Sequence, residues 1–239
     1  MLSGTDKWKG LVDFQLEPLN PGSDILCYTS LPTTLYDALC KTAQSFPDKT
    51  AIVDNYDRSC TYTDLLAKTD AFASYLYQKQ NIHRNSHVAL MMYNCLEWLP
   101  IYFGVLKTGA IAVPFNFRYD AEEILYCAEL AEVDMIVFGP AFIGRIETNA
   151  ERLSKGRLLI YVGDNCPEFA ESYHQLVADC SSHAPNVEIT DDDFGAIYFS
   201  SGTTGFPKAI LHNHQSLVHS CYVEQKHHGQ TRDDVFLCI

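Results

Sequence analysis

Apolar residues three and four apart alternate along this chain with short, nearly continuous apolar runs. The first spacing predicts amphipathic helices and the second buried strands. A helix is predicted from Thr34, where Asp37 three residues on suggests a capping box, to the residue before Pro47. Thr50–Asp54 and Ser59–Tyr62 flank Asn55-Tyr56-Asp57-Arg58 and predict a hairpin. Thr63 is the expected cap of a second helix, whose Leu65, Leu66, Phe72, Ala73 and Leu76 fall on one side.

A regular alternation follows. Strands are predicted at Val88–Tyr93, Ile111–Val113, Met135–Phe138, Leu158–Val162 and Phe194–Phe199. Helices are predicted at Glu97–Lys107, Ala121–Ala131, Phe142–Leu153, Phe169–Asp179 and from about Asn213 to Gln225. Strands separated by helices of ten or so residues imply an α/β fold: a mostly parallel sheet with helices on both faces. Pro18, Pro21, Gly22 and Pro32 mark residues 1–33 as an extended lead. Pro185 and the acidic run Asp191-Asp192-Asp193 suggest a soft boundary, dividing an α/β subdomain at 34–185 from a second subdomain that begins at 186–239.

Charge narrows the function. Asp and Glu total 30 against 17 Lys and Arg, a formal net charge of −13, which argues against a nucleic-acid or anionic-membrane binder. The nine cysteines contain no C-x-x-C pair, so neither a zinc site nor a disulfide framework is expected, and no metal ligands are assigned. Met1 to Gln15 lacks the apolar core of a signal peptide. The longest apolar stretch, near Trp98–Leu106, is cut by Pro100 and ended by Lys107, too short to span a bilayer. A cytoplasmic protein is the expectation.

The candidate chemistry lies after the Phe194 strand. Ser200-Ser201-Gly202-Thr203-Thr204-Gly205-Phe206-Pro207-Lys208 places two glycines, four hydroxyl side chains and one lysine in nine positions. Glycines let the backbone turn and bring its N–H groups to an anion, hydroxyls donate to phosphate oxygens, and a lysine adds a mobile positive charge. The P-loop pattern fails here: Pro207 stands in place of its second glycine and Ala209 in place of its magnesium-binding hydroxyl.

This loop resembles the signature phosphate loop of the adenylate-forming (AMP-binding) superfamily. Leu106-Lys107-Thr108-Gly109-Ala110, leading to Val113-Pro114, and Thr61-Tyr62-Thr63-Asp64-Leu65 are similar to two upstream motifs of that family, in the same order and spacing. The resemblance runs from about Leu35 to the end of the chain. It implies the N-terminal portion of the large domain of an acid–CoA ligase. Such an enzyme uses Mg²⁺-ATP to convert a fatty or aromatic carboxylic acid to acyl-AMP, then passes the acyl group to CoA. Ser200, Ser201, Gly202, Thr203, Thr204, Gly205 and Lys208 are then the nucleotide-binding residues, with Lys208 also catalytic.

Within the family, Pro114, Asn116 and Arg118 favour the CoA-ligase branch over amino-acid-adenylating domains that serve carrier proteins. A non-catalytic nucleotide-binding or interaction module is the other alternative. The apolar run Val235–Ile239 and the missing later motifs, including the C-terminal catalytic lysine, imply an N-terminal fragment, inactive by itself and needing the rest of the enzyme. The family usually carries glycine where Ala209 stands; alanine is strained there by about 1–2 kcal/mol if the backbone is left-handed, and unstrained otherwise. His212 and His214 are expected at the helix start and surface; His214 also matches a family histidine that helps set the helix behind the loop. Asp193-Phe194-Gly195 spells the kinase metal motif without its companions.

Overall fold

A computed structural model describes residues 16–18, 26–28, 31–178, 180, 185–200 and 207–238. Two short strands of the lead, β1 (Leu16–Pro18) and β2 (Leu26–Tyr28), pair antiparallel. Helix α1 (Leu35–Ser45) begins with the expected box: the Thr34 hydroxyl accepts from the Asp37 amide, and the Asp37 carboxylate accepts from the Thr34 amide, both at 3.0 Å. The predicted hairpin forms as β3 (Thr50–Val53) and β4 (Ser59–Thr61). Helix α2 (Tyr62–Lys79) is capped by Thr61, not Thr63. A capping box needs an acidic or amide side chain three residues on. Thr61 finds Asp64, whereas Thr63 would meet Leu66, and its hydroxyl donates to the Pro47 carbonyl instead.

The alternation then unfolds as β5 (His87–Met91), α3 (Trp98–Lys107), β6 (Ile111–Pro114), α4 (Ala121–Leu130) and β7 (Met135–Phe138). The helix predicted at Phe142–Leu153 is broken. After a 3-10 turn at Pro140–Phe142 come α5 (Ile143–Glu147) and α6 (Ala150–Leu153). Asn149 interrupts them: it leaves helical geometry (φ −118°, ψ 18°), and its side-chain amide donates to the Ala121 carbonyl at 2.9 Å, tying down the start of α4.

Strand β8 (Leu158–Tyr161) follows, then β9 (Glu171–Ser172) and α7 (Tyr173–Ala178). The front of the helix predicted at Phe169–Asp179 is therefore extended. Phe169 stacks on Phe138, with ring centroids 6.0 Å apart, and the next residues pair parallel with β8. Strand β10 (Phe194–Ser200) matches its prediction and adds Ser200. Strand β11 (Lys208–Asn213) is a strand that sequence patterning missed, because its Ala209-Ile210-Leu211 centre has no period-two alternation. Helix α8 (His214–His228), predicted from about Asn213, is capped by Asn213 and ends on Gly229, whose φ of 62° is the left-handed stop glycine permits.

Seven strands form one sheet in the order β11-β10-β6-β5-β7-β8-β9, parallel except for the β10–β11 pair. Because successive side chains alternate, Val88, Leu90 and Val137 pack with α2 and α3 on one face. Ala89, Met91, Ile136 and Phe138 pack with α4 and α5 on the other. Burial on both faces explains the continuous apolar runs of these strands. Helix α1 and the β3–β4 hairpin add a smaller cluster around Leu39, Cys60 and Leu65. Among the described residues, no helix is long and apolar enough to cross a membrane.

Candidate functional site

The two ends of the hydroxyl-rich segment meet. Ser200, the last residue of β10, pairs with Lys208, the first of β11. Antiparallel partners stand about 4.5–5.5 Å apart, so Ser200 and Lys208 lie side by side at the end of the sheet. Ser201, Gly202, Thr203, Thr204 and Gly205 lie outside the described residues. Paired residues share a face, so Ser200 and Lys208 project on the side where Tyr198 meets α3. Lys208 is exposed, Pro207 is buried and Ser200 is half-buried. The pair lies at the carboxyl end of β10, which runs parallel to β6, and such strand ends are where open α/β sheets hold ligands.

Ala209 resolves the glycine question. It pairs with Phe199 in extended β11, and its φ is not positive, so the left-handed strain does not arise.

The loop Phe115–Asp120, which leaves the carboxyl end of β6, lies against the base of this hairpin. Phe115 and Tyr119 meet the Phe199 ring nearly edge to face, with centroids 5.8 and 6.4 Å apart. Asn116 shapes the loop: its side-chain oxygen accepts from the Arg118 amide and its carbonyl from the Tyr119 amide, both at 3.0 Å. Arg118 lies over the Phe117 ring. The Asn116 and Arg118 positions of the sequence motif thus have a turn-forming and a ring-stacking role here. Burial pushes the Cys127 thiol up to about 12, against the lowering effect of the hydrogen bond that Tyr119 donates to it.

Behind the hairpin, the hydroxyls of Tyr198 and Tyr102 lie 3.1 Å apart, and burial pushes both phenols above their ordinary range. His214, the first residue of α8, is fully buried, contrary to the expected surface position, and neither ring nitrogen has a partner among the described residues. It packs on Gly195, whose missing side chain leaves the room. Asp193 stands at the other end of β10. Burial works against its ionisation, but hydrogen bonds from Thr190 and Arg84 outweigh it and hold the carboxyl below its usual range. That carboxylate fastens the strand entry to Arg84, a structural duty unlike that of the kinase motif it spells.

The two upstream motifs are architectural. Thr61 caps α2, and Leu65 is buried beneath it. Lys107 donates to Asp70 of α2 and to the hydroxyl of Tyr36 of α1, each at 2.6 Å, so one ammonium joins three helices. Gly109 turns with φ 76°, and its carbonyl accepts from the Asn85 amide at 3.0 Å. Sequence reasoning missed Arg145, which donates to the carbonyls of Phe117 and Tyr119; nothing in its local pattern marks it. Among the described residues no group of three or more His, Cys, Asp or Glu side chains could hold a metal ion.

Comparison with known proteins places this architecture in a family. The model of the AMP-binding enzyme family matches residues 39–239, and the chain belongs to that family. It is 27% identical over 188 residues to a 3-hydroxybenzoate/4-hydroxybenzoate–CoA ligase of Thauera aromatica, covering 78% of this chain and 36% of that protein. It is 26% identical over 211 residues to the medium-chain fatty-acid–CoA ligase of Escherichia coli, covering 85% and 37%. The solved structure of the anthranilate CoA ligase AuaEII in complex with anthranoyl-AMP superposes with a TM-score of 0.73 at 24% identity, over 78% of this chain and 36% of that one. The α/β fold is that of the N-terminal domain of adenylate-forming enzymes, and the chain spans little more than a third of these relatives' lengths.

Proposed function

We propose that this chain supplies the nucleotide-phosphate grip of an AMP-forming acid–CoA ligase. The observation that carries the reading is the pairing of Ser200 with Lys208, the two ends of the hydroxyl-rich segment, at the carboxyl end of β10. Ser200, Ser201, Gly202, Thr203, Thr204 and Gly205 orient the β- and γ-phosphates of ATP through hydroxyl and amide donors. Lys208 neutralises charge on the departing pyrophosphate. That is the electrostatic work such a transfer needs, since positioning and charge stabilisation dominate phosphoryl chemistry. Mg²⁺ arrives on the nucleotide's own oxygens, because it is usually held by substrate phosphates and few protein ligands.

The first half-reaction joins the acid's carboxylate oxygen to the α-phosphorus and breaks its bond to pyrophosphate. The second forms a thioester with CoA and releases AMP. Ligases for hydroxybenzoates and for medium-chain fatty acids among the relatives support an aromatic or fatty acid substrate. The cytoplasm, where ATP and CoA are at hand, is the proposed location. Residues 1–239 alone hold nucleotide weakly and do not complete the reaction.

The full product of the reading frame, given ATP, CoA and a panel of acids, should release pyrophosphate and form acyl-CoA only with fatty or aromatic acids. Strict dependence on amino acids and a carrier domain moves the assignment to amino-acid adenylation. Acyl-CoA synthesis by residues 1–239 overturns the claim that they are incomplete.

A further inference from the structure

We infer that Arg145 is a positioning residue for the phosphate-gripping hairpin, acting through the loop Phe115–Asp120. This rests on the functional reading above. The guanidinium serves backbone carbonyls and not a carboxylate. The chain carries 30 acidic residues against 17 basic ones, yet among the described residues Arg145 has no ion pair. One of its nitrogens donates instead to two carbonyls of a single loop, Phe117 at 2.6 Å and Tyr119 at 2.9 Å. The guanidinium carbon also lies 5.4 Å from the centre of the Phe142 ring, which fixes the fork from behind.

The clamp reaches the hairpin in two steps. The carbonyls it holds lie in the turn that Asn116 opens, at Phe117 and at its last residue Tyr119, so their position sets the direction of Phe115 and Tyr119. Those two rings meet Phe199 at interplanar angles of 68° and 82°, one from just before the turn and one from its last residue. Phe199 immediately precedes Ser200 and pairs with Ala209, the neighbour of Lys208. Loosening the clamp frees the two rings that brace Phe199, and with it the base from which Ser200 and Lys208 project. A lysine at 145 carries the charge but not the planar fork, so it restores part of the clamp at most.

Residue-resolved amide exchange on the 239-residue chain tests this without any ligand. In Arg145→Ala, exchange should rise about tenfold or more at residues 115–120 and also at Phe199, Ser200, Lys208 and Ala209, with the amides of α2 unchanged. Arg145→Lys should fall between that variant and the parent. A rise confined to residues 115–120 overturns the proposal. If Arg145→Ala loosens α2 as well, Phe199→Leu decides: it keeps apolar bulk while removing the braced ring, and it should speed exchange at Ser200 and Lys208 with α2 intact. An unchanged hairpin in that variant overturns the proposal too. Addition of Mg-ATP to the full product of the reading frame forms a separate arm. Slower exchange at Ser200 and Lys208 supports the phosphate grip, and its absence removes that reading while leaving the link from Arg145 to the hairpin measured on its own.

Discussion

His214 occupies the space that the missing side chain of Gly195 leaves open: a Cβ on Gly195 would stand 3.0 Å from Cε1 and 3.1 Å from Nδ1 of the imidazole. The same Cβ would stand 3.0 Å from Cδ1 of Leu217, so α8 packs closely on β10 at this glycine. A buried ring has little freedom to retreat, and overpacking of a filled core costs about 1–3 kcal/mol. Gly195→Ala should lower stability by about that amount in urea unfolding, with the midpoint falling and the slope preserved. A variant as stable as the parent would show that α8 shifts freely.

The buried imidazole also ties stability to pH. Burial lowers the His214 pKa from its ordinary 6.5, opposed by the carboxylates of Asp193 and Asp37. Below 6.5 the unfolded chain binds a proton there that the folded chain does not, so stability rises with pH between the folded value and 6.5. Acidification through that window should destabilise the chain, and His214→Leu should flatten that part of the profile. The Asp193 carboxyl acts elsewhere: its folded pKa lies below 3.8, so its contribution is lost only at lower pH. Urea midpoints measured every half unit of pH separate the two.

The lysine of the upstream motif carries a different expectation. Lys107 and Asp70 are largely buried, with side-chain exposures of 12% and 23%. Removing one member of such a pair strands the other, at about 3 kcal/mol. Lys107→Met should therefore cost about that much, while the Lys107→Met, Asp70→Asn double variant should recover part of it. Unfolding of the four proteins of the cycle gives the coupling, expected above about 1 kcal/mol for groups in direct contact.

How much of this was written in the sequence depended on the range over which each signal acts. The parallel strands were legible because Val88–Met91 and Met135–Phe138 are apolar on both faces, a property of the run itself. The α1 cap was legible because Thr34 and Asp37 interact across one turn. Strand β11 was not, since Ile210 and Leu211 are exposed and only pairing with β10 makes the segment extended. The break at Asn149 depends on the Ala121 carbonyl, 28 residues away. The same holds for the site. Lys208 and Ser200 stood out by composition, while Arg145 acts on carbonyls that no local pattern connects to it.

Lys208 gives the sharpest separation of chemistry from folding. Its side chain is exposed at the start of an edge strand, so Lys208→Ala should change stability by no more than about 0.5 kcal/mol. Its role in the proposed site is a charged contact to phosphate, and charged hydrogen bonds contribute about 1.5–3 kcal/mol. ATP affinity of the full product should then fall about tenfold to a hundredfold, and formation of acyl-AMP with it. Arg84→Ala provides the opposite control. That side chain anchors Asp193 at the far end of β10, so its loss should lower stability first and affect ATP only through folding. Calorimetric titration of ATP into both variants, beside their unfolding curves, distinguishes the cases. Equal ATP affinity in Lys208→Ala and the parent would remove Lys208 from the site.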